Sequence, residues 1–578
     1  MPISSRWHLA IPPISLPSYL FTSSDHPLPD KLAFIDATNR SRFFTHSDFR
    51  LYSQRLAAGL IKNGLQPGDR VLLFSSNNLF FPVIIMGIIL AGGIFTGANP
   101  GFVERELAYQ LSDCQAKFLL CGEESLIVGI KAAENAGLGR ENMFVFGDGG
   151  KNIDRKEEEM KGMKSWWELL ESEEVGREFQ WKEDFDPKET VCCLNYSSVT
   201  TGVPKGAMIT HYNYVANSMQ YKHLHELHPE TPLRNKKAKW LCFLPLYHAM
   251  GQTIFGSVAP KRGIPVYIMK KFDFKGMLEA VQKYKITSLN MVPPIVVMLV
   301  KSPLTKQYDL SSVIDMISGA APLSGDVIDA AEKLWPDGNV KLTQGWGMTE
   351  ATCSLLGCDT RHDPILNSVG ELNANCHAKI MDPETLEELK QGERGEIWVQ
   401  APNIMKGYWN KPSATQETLI DSPSGVWLRT GDIAYVYSQK HFFIVDRMKE
   451  LIKVKGNQVA PAELEALLLE HPEIADAAVI GVMIREGEVP RAYIVKSCES
   501  GNGLIAEEVM EWVEKRTSRF KWLKGGVEFL LSPLSDGRLR QFHKGHKLTG
   551  VQSGKILRKL LRDRAKEGIS KINVKARL

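Results

Sequence analysis

The chain is 578 residues long, which at about 150 residues per domain excludes a single small binding module. With 43% hydrophobic and 24% charged residues and a net charge of only +3, it is globular in composition and carries no bulk signature of nucleic-acid or membrane-surface binding. Nine cysteines without a CxxC pair argue against a zinc ribbon, a thioredoxin-type motif or a secreted disulfide scaffold, and favour a reducing compartment.

The opening MPISSRWHLAIPPISLPSYL holds four prolines and lacks a basic segment followed by an unbroken apolar one, so no secretion signal is expected. From residue 31 to about 180, helical and strand-like patterns alternate: an amphipathic helix over 48–63, a Gln66-Pro67-Gly68-Asp69 turn and a strand over 70–74. Such alternation predicts a parallel sheet. The apolar run at 79–98 is long enough to cross a bilayer. Pro82 near its start and the Gly92-Gly93 break predict instead a buried helix running into a turn at Asn99-Pro100-Gly101. Residues 147–184 are charged and turn-rich and read as a surface excursion before a strand over 189–196. His223, His225 and His228 in HLHELH lack HExxH spacing and sit among polar residues, so they read as a solvated loop rather than a metal site. Near 446–450 the strand-like HFFIV gives way to a Lys-rich strand and a helix over 461–469. This break divides the chain into a large domain, 1–446, and a small terminal one, 447–578. No internal repeat is visible in the sequence.

The strongest local signal is SSVTTGVPKG at 197–206, between the apolar VCCLNY and MITHYNYVAN, whose pattern predicts the start of a helix. Hydroxyls, backbone amides and one lysine on a turn are what a triphosphate needs. The loop does not fit GxxxxGK[ST], so a P-loop NTPase is not inferred. Alone, it reads equally well as a polar turn.

Seven more motifs accompany the loop. They are FLPLYHAMG at 243–251, SGAAPLS at 318–324, QGWGMTE at 344–350, GERGEIWVQAPNIMKGYW from 392, WLRTGDIA from 427, VDRMKELIKVKGNQVAPAELE from 445 and SGKILRK from 553. Any one occurs by chance; eight in this order are highly specific. Over nearly its whole length the chain resembles the adenylate-forming acyl-activating enzymes, in particular the 4-coumarate:CoA ligase-like acyl-CoA synthetases. The resemblance implies an α/β fold, with a large N-terminal domain of several sheets including a barrel-like part, plus a small α+β C-terminal domain. It also implies activation of a carboxylate by ATP with release of pyrophosphate, then transfer of the acyl group to CoA, with Mg²⁺ as counterion to the phosphates.

Matched position by position, the resemblance gives Ser197, Ser198, Thr200, Thr201, Gly202 and Lys205 to the phosphates. Gly319, Ala320 and Ala321 run along the adenine, and Gln344, Gly345, Trp346 and Gly347 complete the nucleotide slot. Trp346 is the aromatic wall where relatives usually carry tyrosine, with a larger face and no phenolic hydroxyl. Thr349 and Glu350 bind phosphate and Mg²⁺, Asp432 accepts both ribose hydroxyls, and Arg447 matches the ribose-phosphate arginine. A lone histidine in an apolar motif is by default a core residue. The resemblance places His248 at the junction of acyl pocket and phosphate site, orienting the carboxylate and moving aside for the thioester step. Lys555 matches the lysine that meets the carboxylate and α-phosphate during adenylation. Lys453 and Gln458 match residues brought in for thioester formation, and Lys449 the hinge, so that rotation of the small domain lets one site serve two reactions.

Departures from the pattern are informative. Val199 stands where the family's SSGTTG has glycine, and a β-branched residue resists positive φ and adds bulk beside the phosphates. An insertion of roughly 15 residues, at 534–552, precedes the last motif. These two features motivate a non-catalytic acyl- or nucleotide-binding homologue as an alternative; an enzyme loading a separate carrier protein and a luciferase-like oxygenase are others. Amino-acid adenylation is disfavoured because no aspartate follows PLYHAMG where such domains hold the α-amino group. Ile317 and Thr352-Cys353-Ser354 replace the lysine and Gly-Pro-Val frequent in hydroxycinnamate-specific relatives, so another acid is expected, with aliphatic, polyketide-like and other aryl acids open. The final Ala576-Arg577-Leu578 has the small-basic-leucine form of a peroxisomal address. Together with the resemblance it predicts import by the peroxisomal receptor, with the cytoplasm as alternative, and is similar to fungal peroxisomal carboxyl-activating enzymes of toxin and other secondary-metabolite pathways. No nucleic-acid partner and no transmembrane segment are expected.

Overall fold

The computed structural model describes residues 2–21, 30–147, 162–197, 204–335, 337–437, 440–448, 450–454, 457–484, 487–497, 503–530, 549–550, 555–556, 558, 561–562 and 564–565; for 457–458, 549–550 and 555–556 it describes the backbone alone. Three sheets build the large domain. The first has seven strands in the spatial order Lys205–Thr210, Val191–Ser197, Ile94–Ala98, Arg70–Phe74, Ala116–Gly122, Met143–Phe146, Lys164–Ser165, parallel except between the first two. The second orders Leu342–Gln344, Asp315–Ser318, Ser288–Met291, Trp240–Cys242, Val266–Ile268, Leu32–Asp36 and Phe43–Thr45, parallel except for the last pair. The third is antiparallel throughout and forms the barrel-like part: Ile3–Ser4, His377–Met381, Gly395–Gln400, Trp427–Val436 and Leu419–Ile420, with Phe442–Arg447 also paired to Trp427–Val436. Beyond it, the hairpin Ile452–Val454 with Asn457–Val459 and the sheet Ile474–Ile484, Gly487–Lys496, Val527–Leu530 pack with helices Pro461–Leu469 and Ala506–Glu514 around a core of their own.

Local chemistry explains the regular elements. Helix His46–Lys62 starts at Thr45, whose hydroxyl accepts from Asp48 N–H at 3.2 Å while the Asp48 carboxylate accepts from Thr45 N–H at 2.9 Å, a reciprocal cap that satisfies two otherwise orphaned donors. Its buried stripe of Phe49, Ser53, Leu56 and Leu60 faces helix Phe81–Leu90. There Gly87 permits the close approach: a Cβ added to it would lie 2.6 Å from Leu56 Cδ2.

Four sequence expectations are corrected. The apolar run at 79–98 holds two elements, helix Phe81–Leu90 and strand Ile94–Ala98, separated where Gly92 takes φ +77°. Both are buried along their whole length, so hydropathy alone could not divide them. The charged stretch at 147–184 is not wholly a surface excursion, because Lys164–Ser165 closes the edge of the first sheet and delivers Trp166 into the core. Met208 to Thr210 finish strand Lys205–Thr210, and the helix begins at His211, capped by the Thr210 hydroxyl. The HLHELH segment is only partly loop: His223 and His225 lie in the last turn of helix His211–Glu226, and His228 follows the helix end. The His225 ring packs against Tyr221 and Trp240, and burial pushes its pKa down to about 3.

Trp166 meets Phe80 and Phe146 edge-on and donates its indole N–H to Gly147 O at 2.9 Å. Trp166→Ala should therefore cost about 3–5 kcal/mol, read as a lower denaturant midpoint for the large domain. A shift below about 1 kcal/mol would mean that this segment is not core.

Candidate active site

In the second sheet, the neighbouring strands Asp315–Ser318 and Leu342–Gln344 run parallel and end side by side, and Gly345 N–H donates to Ser318 O at 3.1 Å across their tips. Crevices at the carboxyl ends of parallel strands are where α/β sheets bind ligands. Gly319, Ala320 and Ala321 leave one strand end, and Ala320 takes φ +75°, an uncommon conformation for a residue with a Cβ. Gln344 turns back to accept from Leu323 N–H at 3.0 Å, which fixes the SGAAPLS loop against QGWG. Gly347 is required by contact, since a Cβ there would lie 1.8 Å from Cys353 O.

Trp346 is buried and donates its indole N–H to Asp432 Oδ2 at 2.8 Å. Arg447 faces Asp432 across the paired strands of the third sheet, with Nε 3.3 Å from Oδ1. The residues that the resemblance implies as aromatic wall, diol acceptor and ribose-phosphate arginine thus form one chain of contacts. Each carboxylate oxygen retains capacity for a further donor such as a ribose hydroxyl.

The phosphate side is built on the first sheet. Ser197 and Lys205 are direct partners on the antiparallel pair that brackets the predicted phosphate loop, and the Ser197 hydroxyl is buried without a partner among the described residues. The loop's base is braced by helix Glu104–Cys114: Tyr109 donates to Pro204 O at 2.9 Å, and Tyr196 to Asp113 at 2.7 Å. Lys411 pairs with the same Asp113 at 2.6 Å. Ser198, Val199, Thr200, Thr201, Gly202, Lys449 and Ala576 to Leu578 lie outside the described residues, as do the side chains of Gln458 and Lys555.

Thr349 and Glu350 are buried in the short turn Thr349–Ala351. Glu350 Oε1 accepts from the Tyr408 hydroxyl at 2.8 Å, and the Tyr408 ring lies 4.5 Å beneath Lys205 Nζ. Burial first, and then the Glu350 charge, push the Tyr408 pKa upward, so it remains a neutral donor. Tyr408 is a site residue that sequence reasoning missed although its motif, MKGYW, was noted. The reason is pairing: Met208 N–H to Gly407 O at 2.8 Å and Trp409 N–H to Gly206 O at 2.8 Å add this segment to the edge of the first sheet. A buried carboxylate with only a phenol on it, and no ion-pair partner among the described residues, suits a divalent cation, for which Glu350 and Thr349 supply hard oxygen donors.

His248 caps the helical turn Ala249–Gly251, its Nδ1 accepting from Met250 N–H at 3.4 Å, so a neutral ring carries its proton on Nε2. Met250 lies against Gly319, where an added Cβ would come 3.6 Å from Met250 Cε, so the histidine motif borders the SGAAPLS loop. Next to Glu350, Thr352 takes φ +64° and ψ −56°, a strained geometry for a β-branched residue, held by its hydroxyl on Asn403 O at 2.8 Å. Lys453 is exposed and is the register partner of Gln458 in the small-domain hairpin, where its N–H donates to Glu488 at 2.8 Å. Lys555 and Ile556 form a short strand paired with Thr549 and Gly550.

A family model described as AMP-binding enzyme matches residues 21–409, and one described as AMP-binding enzyme C-terminal domain matches 463–534. The chain is 34% identical over 568 residues to the phenylacetyl-CoA ligase epaB of Aspergillus niger, covering 96% of this chain and 98% of that protein. It is 36% identical over 534 residues to 4-coumarate–CoA ligase 1 of Petroselinum crispum, covering 91% and 90%. Its fold is similar to that of ATP-bound MatB from Rhodopseudomonas palustris, with a TM-score of 0.76 at 24% identity over 96% and 99% of the two chains.

Trp346→Phe keeps an aromatic face and deletes the donor to Asp432. Adenine-nucleotide affinity, measured by calorimetry, should fall about 10-fold, the worth of one hydrogen bond to a charged group. Unchanged affinity would show that this contact does not shape the slot.

Proposed function

The chain belongs to the AMP-binding enzymes, and from that premise we propose that it is an AMP-forming acid–thiol ligase: carboxylate, ATP and CoA give acyl-CoA, AMP and pyrophosphate. The observation that carries this reading is the convergence of Ser197, Lys205, Tyr408 and Glu350 on the phosphate side with Trp346 and Asp432 on the nucleoside side, each group buried or bracketed by buried groups.

In the first half-reaction a carboxylate oxygen bonds to the α-phosphorus and the bond to pyrophosphate breaks. Lys205 and the Ser197 hydroxyl hold phosphate oxygens, and Trp346 and Asp432 hold the adenosine, so the attack is oriented before it occurs. Magnesium, when bound, neutralises charge on the phosphoryl oxygens, and Thr349 and Glu350 are the residues that would hold it. His248, in the motif that borders the SGAAPLS loop, orients the carboxylate, and Lys555 stabilises the charge that develops between carboxylate and α-phosphate. In the second half-reaction the CoA sulfur bonds to the acyl carbon, AMP leaves and the thiol proton is released. Lys453 and Gln458 serve this step after the small domain turns about Lys449.

Pyrophosphate exchange and thioester formation across a panel of aryl, aliphatic and polyketide-like acids test the reading. At least one acid should give both AMP and acyl-CoA, and a thioester made only on a carrier protein would replace CoA as acceptor. Lys555→Ala should lower exchange about 10²-fold or more while sparing thioester formation from a supplied acyl-adenylate, and Lys453→Ala should do the reverse. Equal loss in both halves for either variant would remove its assignment.

We further propose a peroxisomal enzyme of fungal secondary-metabolite or toxin biosynthesis. The terminal Ala576-Arg577-Leu578 supports the compartment, and the likeness to an Aspergillus ligase supports the setting. Deleting these three residues should leave turnover unchanged and move the protein from peroxisomes to cytosol. A distribution that stays punctate would refute the address.

A further inference from the structure

The residues that follow Lys555 are tied to helix Pro461–Leu469 and to Glu450 by two ion pairs. Arg558 Nη2 lies 2.8 and 2.7 Å from the two oxygens of Glu465, and Arg558 Nε donates to Val479 O at 3.3 Å. Glu465 in turn accepts from Val479 N–H at 2.8 Å, closing a ring of contacts in which the two side chains are only 12% and 9% exposed. Four residues on, Arg562 pairs with Glu450, whose side chain is fully buried. Asp446 accepts from Ala462 N–H at 2.9 Å in the first turn of helix Pro461–Leu469, which carries Glu465. Leu561 and Ala565 pack on the sheet of the small domain beside Ala478 and Tyr493. Residues 446 and 450, that helix and the end of the chain are therefore one connected circuit.

Such a pair holds position more than it adds stability, because desolvating both charges offsets most of their attraction, whereas removing one partner strands the other. Arg558 lies three positions after Lys555, a span of at most about 11 Å. The anchor therefore confines Lys555 from its C-terminal side, independently of the inserted 534–552, and lengthening a connection raises its closure entropy only logarithmically.

We propose that Arg558, through Glu465, is a positioning residue for the adenylation half-reaction, setting where Lys555 stands whatever the length of the insertion before it. This rests on the role given to Lys555 above. Neither arginine touches the nucleotide slot; their effect passes through the backbone.

Arg558→Met and Arg558→Lys test it, each assayed for pyrophosphate exchange, for thioester formation from a supplied acyl-adenylate, and for hydrogen–deuterium exchange. In the methionine variant pyrophosphate exchange should fall about 10²-fold while the thioester step is retained, and lysine should restore part of the loss. Amides of 549–550 and 555–556 should exchange faster, with those of Pro461–Leu469 still protected. Equal loss in both half-reactions, or amides at 555–556 no faster than in the unaltered protein, would overturn the proposal. If the unaltered protein adenylates no acid, the ligase reading fails, and hydrogen exchange still decides the anchoring. Should Arg558→Met not fold, Glu465→Gln, which keeps shape and removes the charge, is read by the same three assays and the same outcomes.

Discussion

Asp432 is the residue on which the parts of the site depend for their relative position. One of its oxygens accepts from Trp346, in the loop that leaves the second sheet, and the other faces Arg447, on the strand that leads out of the third sheet. A buried carboxylate costs several kcal/mol unless it is met by donors or opposite charge, so the indole donor and the guanidinium charge are both held on the anion's side. The slot proposed for the nucleoside is thus defined by electrostatics as much as by shape. Met448 N–H donating to Gly431 O at 2.8 Å ties the same bend to the first residues past Arg447.

A second constraint acts on the phosphate side. Parallel strands deliver backbone and side chains to one edge, yet Ser197 and Lys205 come from an antiparallel pair appended to that sheet, and the 405–409 segment is added beyond it. Met405 N–H donates to Glu350 O at 2.8 Å, so the carboxylate that suits a cation and the tyrosine that donates to it are set by one stretch of main chain. Backbone pairing places these side chains with little dependence on their own rotamers, which is what preorganised charge stabilisation requires.

The small domain follows a different rule. Its Glu465 and the boundary carboxylate Asp446 have pKa values raised by burial, that of Glu465 to about 7, against the pull of the Arg558 charge. Lys301, at the end of a large-domain helix, donates to Leu469 O at 2.8 Å and also to Ile474 O, while the Leu469 side chain packs against the large-domain core.

Much of this was legible in the sequence where one local rule governs. Strand Arg70–Phe74 follows its Pro-Gly turn and helix Pro461–Leu469 its proline start, both with the expected bounds, and the order of the eight motifs alone pointed to the AMP-binding enzyme family. What the sequence left undecided is where two elements share one hydropathy or where a contact spans distant segments. The division of 79–98, the burial of Trp166 in a charged stretch, and His225 on a helix in place of a loop depend on neighbours far along the chain. The same holds for Tyr408 beside Glu350, for Trp346 on Asp432 and for Arg558 on Glu465. Residue type and spacing determine which chemistry a chain can perform; partnership between buried polar groups is decided by tertiary packing, because only there does the loss of water force each donor to find an acceptor.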